Sequence, residues 1–257
     1  MPKIPDIAIE ATSTIVGTSA AYQAGDPSAG YAVANFVKDR LHNIVNLFSS
    51  ERQAKRILDV TQFALNEIQC RLENGERLRS DGFFNNITDR SDAEEVLEEV
   101  LLKARDEPQE KKIPYIGRLF ENGCFDSTVD SGTLHFLCKE SENLTFRQLC
   151  IIKIVNEMRE RKYPLRSESF KNFITIREIR RNTTTEQFAT LAECVALRDK
   201  GYIMFSFSST PGIELEVLRY LIPNTMESLP TGTMMYEHMN LRSMPEEDVL
   251  PVINSLS

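Results

Sequence analysis

The sequence predicts a mainly α protein that turns α+β towards its C-terminus, a helical bundle followed by a winged-helix-like module. Three observations predict it. Apolar residues recur at three- and four-residue spacing through most of residues 31–200, the pattern of helices with one buried face. Capping boxes, which satisfy two orphan backbone donors reciprocally, stand at Ser91/Glu94 and Thr145/Gln148. Beyond Gly201 the period shortens, as it does in strands.

Residues 1–34 form a segment rich in small side chains, with Gly17, Ala21 and Gly25 at four-residue spacing and Ala20 and Ala24 beside them. On a helix such spacing lets another helix approach closely. The bland reading is a loose N-terminus packed on its own protein; the sharper one is a segment for self-association or membrane contact. Asp6, Glu10, Asp26 and the helix-breaking Pro27 oppose stable insertion, because charges inside a bilayer are costly.

Residues 35–143 read as a helical bundle. Val33, Phe36, Val37, Leu41, Ile44, Val45 and Phe48 predict one amphipathic helix, and Ile57, Val60, Phe63, Ala64, Ile68 and Leu72 a second. Asn74-Gly75 suits its end, where glycine takes the left-handed conformation. Ser80-Asp81-Gly82 predicts a turn, with Phe83 and Phe84 plugging the core. The helix opened by Ser91 buries Ala93, Val96, Leu97, Val100, Leu101 and Ala104, and Glu94, Glu95, Glu98 and Glu99 load the end where the helix dipole favours negative charge. A further helical run contains Pro114.

Residues 144–257 read as the winged-helix-like module. Thr145 and Gln148 open a helix that the apolar residues Ile152, Val155 and Met158 carry towards Arg159, Arg161 and Lys162, with Pro164 as its stop. Thr183 and Glu186 predict the start of a helix over 184–200 that buries Phe188, Leu191 and Val195 and ends at Gly201. Residues 202–207 then predict a strand, Thr210-Pro211-Gly212 a turn, and 213–218 its partner. Two short helices follow near 231–240 and 245–256, the latter with Ser243 and Glu246 in capping-box register.

The charge is uneven. Residues 1–143 hold 16 Lys and Arg against 24 Asp and Glu, whereas 144–257 hold 14 of each, so the first part carries the whole net charge of −8. That balance opposes sequence-independent binding of nucleic acid or anionic membrane by the whole chain. The stretch from Arg159 to Arg181 is the exception, with eight basic and three acidic residues. Arg177, Arg180 and Arg181 are its candidate nucleic-acid contacts, although the adjoining helix, with Glu186, Glu193 and Asp199, is poorly charged for DNA. Five scattered cysteines without a C-x-x-C predict buried thiols in a reducing cytoplasm. No secretory leader is predicted, and no apolar run reaches the roughly 18 to 20 residues of a spanning helix.

Five segments carry a resemblance: S-D-G-F-F at 80–84, D-R-S-D-A-E-E-V-L-E-E-V-L-L at 89–102, E-K-K-I-P-Y-I-G-R-L-F at 110–120, L-T-F-R-Q-L-C at 144–150 and T-G-T-M-M-Y-E-H-M-N-L at 231–241. Together they resemble an uncharacterised family of bacterial soluble proteins with a helical middle and a compact C-terminal module. The resemblance implies that architecture and attaches no activity to it.

Signatures of catalysis are sought in vain. The chain has no phosphate loop, dinucleotide fingerprint, G-x-S-x-G elbow or zinc-peptidase motif, and His42, His135 and His238 are isolated. His135 and Cys138 would share a helical face, but among core residues, where a thiol is inert. Glu110-x-Lys112 has the spacing of some metal-dependent nucleases and reads instead as a solvated charged turn. The expectation is therefore a non-catalytic interaction or self-assembling protein, an adaptor in bacterial stress or defence, with no cofactor, metal or small-molecule substrate. The alternatives are a membrane-perturbing effector using residues 1–34 and a DNA-binding regulator using the C-terminal module.

Overall fold

A computed structural model describes residues 37, 50–85, 89–158, 160–161, 163–166, 183–205 and 222–257. Gly17, Ala21 and Gly25, the first amphipathic helix apart from Val37, the basic residues Arg177, Arg180 and Arg181, and the expected strand at 213–218 lie outside them. The chain divides into two compact units, Met1–Asn143 and Leu144–Ser257.

The first unit is helical. Its described helices are α1 (Glu51–Glu73), α2 (Asp92–Asp106), α3 (Ile113–Phe125) and α4 (Ser131–Asn143). Helix α1 packs on α2 and α3, and α4 packs on the same two. Ser50 caps α1 by accepting from Gln53 N, and Gly75 follows its end with φ of +87°. At α2 the capping box closes in both directions, Glu94 N donating to Ser91 Oγ at 3.3 Å and Ser91 N to Glu94 Oε2 at 3.4 Å. The six apolar residues expected in its stripe are all buried. Phe83 is buried and Phe84 half-buried, their rings meeting edge to face.

Pro114 stands in the first turn of α3, where a missing N–H costs nothing. Before it, Glu110–Lys112 form a single 3-10 turn, exposed at Glu110 and Lys111 as a solvated charged turn should be, but not at Lys112. Lys112 is buried, its Nζ donating to the buried Glu107 at 2.5 Å. The long lysine stem follows apolar surface while its charge finds a carboxylate five residues back. Cys70 also departs from expectation: it is exposed, whereas Cys124, Cys138, Cys150 and Cys194 are buried.

The second unit is built around α5 (Phe146–Glu157). Nine of its twelve residues are buried, among them Leu149, Ile151, Ile152, Ile154 and Val155, so apolar surface runs right round it. Such a helix must be enclosed, and α6 (Thr185–Asp199), α7 (Pro230–His238), α8 (Glu246–Leu256) and strand β2 (Met226–Ser228) pack against or beside it. The expected capping box opens α5, with Gln148 N donating to Thr145 Oγ1 at 3.1 Å and Thr145 N to Gln148 Oε1 at 2.9 Å.

Several details of this unit correct the sequence reading. Helix α5 ends at Glu157 rather than Lys162, because the chain turns there: Glu160 N and Arg161 N both donate to Glu157 O. Helix α6 is capped by Thr184 with Gln187, one residue beyond the expected Thr183/Glu186 pair, which leaves Glu186 in the first turn where the dipole favours it. Phe188 is half-buried, and Thr190 and Cys194 take core positions beside Leu191 and Val195. Helix α8 begins after Pro245 without a side-chain cap; Ser243 instead donates to Asn240 O within a 3-10 turn.

Strand β1 (Ile203–Phe205) pairs antiparallel with β2, in the register Ile203 with Ser228, Met204 with Glu227 and Phe205 with Met226. Among the described residues the partner is thus 226–228, a segment too short and too mixed to show a strand period. Ile203 and Phe205 face the core, and Met204 and Glu227 face outward. Gly201, at φ +78°, turns the chain from α6 into β1. Gly232 serves a different need: a Cβ there would lie 2.2 Å from the Tyr202 carbonyl oxygen, so only glycine lets α7 sit against the sheet.

Candidate functional site

The fold of the second unit places a polar cleft of about 370 Å³ between the end of α5, the segment 224–228 and the start of α7. Val155, Met158 and Met226 give it an apolar floor; Asn156, Ser228 and Thr233 give it a hydrogen-bonding wall. Thr233 Oγ1 lies 3.1 Å from Ser228 Oγ and 3.3 Å from Asn156 Oδ1, while Asn156 Nδ2 donates to Ile152 O at 2.8 Å. The last bond fixes which way the amide faces, so its oxygen is turned to the cleft wall. Asn224 and Glu227 are exposed along the rim.

Directly behind Asn156, Glu157 gathers a buried charge cluster. Its Oε1 accepts from Lys153 Nζ at 2.6 Å and from Tyr236 OH at 3.0 Å. Its Oε2 accepts from Tyr163 OH at 2.8 Å and pairs with Arg161 Nε at 3.0 Å. Lys153 also donates to Arg242 O, and Arg242 Nε to Tyr236 OH. Burial works to raise the Glu157 carboxyl, but Lys153, Tyr163 and Tyr236 together outweigh it and hold it below the usual carboxylate range. Burial and the same carboxylate push both tyrosines up. Near neutrality Glu157 is therefore ionised and both tyrosines are protonated, and the cluster ties α5 to α7 through Tyr236 just as Asn156 does through Thr233.

Chemically, the cleft can accept and donate hydrogen bonds to a neutral polar group. Glu227 is the titratable side chain on its rim, and Glu157, behind Asn156, is turned away into its own pairs. This suits recognition of peptide main chain or amide side chains.

The residues singled out in the sequence fall elsewhere. Gly17, Ala21, Gly25, Arg177, Arg180 and Arg181 lie outside the described residues. His135 does not meet Cys138; its Nδ1 pairs with Glu99 on α2. Burial pushes the Cys138 thiol well up, with the Glu99 charge adding to it. Glu110 binds Arg52 and Arg56. Among the described residues no three His, Cys, Asp or Glu side chains gather as a metal site, and no helix is long and apolar enough to cross a membrane.

Sequence reasoning passed over Lys153, Asn156 and Glu157. One signal was present: in C-I-I-K-I-V-N-E the only charges are a lysine and a glutamate four residues apart, in a run otherwise apolar enough to be enclosed. Such a pair is on one helix face and has nowhere to go but towards each other.

No family model, no curated protein and no solved structure matches the chain.

Proposed function

We propose that this protein is a non-catalytic interaction protein that binds a protein partner, another copy of itself included, through the cleft of its C-terminal unit. The observation that carries the reading is the wall of Asn156, Ser228 and Thr233 above the apolar floor of Val155, Met158 and Met226. Oriented neutral hydrogen-bonding groups beside an apolar surface are the composition of a protein-docking site, where charge is depleted at the centre. The succession of α5, α6, β1, β2 and α7 supports a winged-helix-like module used for docking. The setting we favour is bacterial stress or defence in the cytoplasm, with the protein acting as an adaptor or a self-assembling unit.

Size-exclusion chromatography with light scattering, combined with affinity capture from the native lysate, tests this. The reading predicts either a concentration-dependent assembly or a stoichiometric captured protein, lost in both cases when Thr233 is replaced by Arg to fill the cleft. A chain that stays monomeric and captures nothing counts against it.

A further inference from the structure

The first unit holds a cleft of different character. About 500 Å³ in volume, it lies between the start of α1 and the Glu110 turn and is lined by Arg52, Lys55, Arg56, Asp59, Phe63, Glu110, Ile113 and Pro114. Phe63, Ile113 and Pro114 are its apolar lining, and its three cations outnumber its two carboxylates, Asp59 and Glu110.

Arg52 and Lys55 are exposed, and Arg56 is not. Arg56 is held rigidly: its side chain is only 10% exposed, and its Nη1 donates to Arg105 O at 3.1 Å. Its Nε and the Nε and Nη2 of Arg52 all converge on a single atom, Glu110 Oε1, at 3.0, 3.0 and 2.9 Å. Lys55, one turn on from Arg52 and exposed, makes no ion pair among the described residues. Glu110 itself is half exposed, carried on a one-turn 3-10 helix.

Two physical features make this more than an internal salt bridge. Arg52 occupies the second position of a 23-residue helix, where the dipole disfavours a cation and favours an anion. Placing arginine there is unfavourable unless an anion joins it. Moreover, a carboxylate bound through one oxygen by two guanidinium groups fills only part of what those forks offer, since each can hold an anion in bidentate fashion.

We propose that this cleft binds a small organic anion, a carboxylate or phosphate with an aromatic or apolar body, with Glu110 occupying the anion position when the ligand is absent. Arg52, Arg56 and Lys55 take the anionic group; Phe63, Ile113 and Pro114 take the body. Glu110 is the gate: its charge competes with the ligand for the same guanidinium groups, and its exposure on a short turn lets it give way. The E-x-K spacing that resembles a metal-dependent nuclease thus separates two duties, Glu110 facing the cleft and Lys112 buried against Glu107.

Titration calorimetry on the full chain with phenyl phosphate, benzoate and inorganic phosphate tests the proposal. The expected result is saturable binding of phenyl phosphate or benzoate to the wild type, tightened about tenfold by Glu110→Gln, which keeps the side-chain shape and removes the competing charge. Arg52→Gln combined with Lys55→Gln should abolish it; both are exposed, and a thermal melt confirms that the variant is folded. Three results would overturn the proposal. The first is no saturable heat with Glu110→Gln. The second is binding indifferent to the Arg52/Lys55 change, and the third is inorganic phosphate binding as tightly as both aromatic anions, which is the mark of surface charge alone.

Discussion

Lys153 Nζ lies 2.6 Å from Glu157 Oε1 one turn along α5, and the two side chains are 1% and 3% exposed. A charge pair this deep is weak evidence for stability by itself, because desolvation offsets most of the attraction. Its organisation matters more: Glu157 also takes Tyr163, Tyr236 and Arg161, so one carboxylate holds the end of α5, the chain after it and α7 in a fixed relation. That relation positions Asn156 against Thr233 at the cleft.

Breaking the pair from one side should therefore be severe. Glu157→Gln leaves Lys153 charged and buried, and we expect a loss of about 3–5 kcal/mol in urea unfolding followed by circular dichroism. The double change Lys153→Met with Glu157→Leu should recover much of that loss. A single variant as stable as the wild type would show that the cluster opens to water.

The same carboxyl predicts an acid limit. Its folded value lies below the unfolded value of about 4.3, so as pH falls the unfolded chain takes up the proton first. The stability contributed by Glu157 is complete above the unfolded value and is lost as pH falls through the folded one. The urea midpoint, measured stepwise from about pH 6 to about pH 3.5, should fall more steeply for the wild type than for Glu157→Gln. Parallel curves would contradict the assignment.

Gly232→Ala should cost at least about 1–3 kcal/mol, because the added methyl would meet backbone, the Tyr202 carbonyl at 2.2 Å, which cannot swing aside. Gly132→Ala is the control. It sits in α4 with its nearest neighbour, Asp130 Oδ1, at 3.6 Å, and should be neutral or stabilising by up to about 1 kcal/mol. Thermal denaturation of the two variants distinguishes them directly.

Thiol reactivity should follow burial. Under native conditions a maleimide should modify Cys70 alone among the five cysteines, and all five in urea, as read by intact mass. Burial pushes the Cys124, Cys138 and Cys194 thiols far up, so little thiolate exists to react. Fast native labelling at Cys138 would reopen the His135 pairing.

Much of the helical part was legible in the sequence because its signals are local. The Ser91/Glu94 and Thr145/Gln148 boxes, the α2 stripe and the glycines at 75 and 201 each depend on residues within a turn or two. What escaped is non-local. The partner of β1 among the described residues is a three-residue strand more than twenty positions away, with no period to read. The cleft assembles Asn156, Ser228 and Thr233 from three elements, and the basic cleft joins Arg52 to Glu110 across 58 positions. Cys70 and Lys112 failed for a related reason, since composition sets their average burial and packing sets the actual one.

The measurement closest to the central claim is site-specific photo-crosslinking in the native host, with the crosslinking residue placed at Asn224 on the cleft rim and, as a control, at exposed Leu250 on α8. Binding through the cleft predicts one discrete crosslinked protein, this chain or another, from position 224, absent from position 250 and lost when Thr233→Arg is added. Crosslinks equal at both positions, or none at 224, would contradict the cleft as the binding surface.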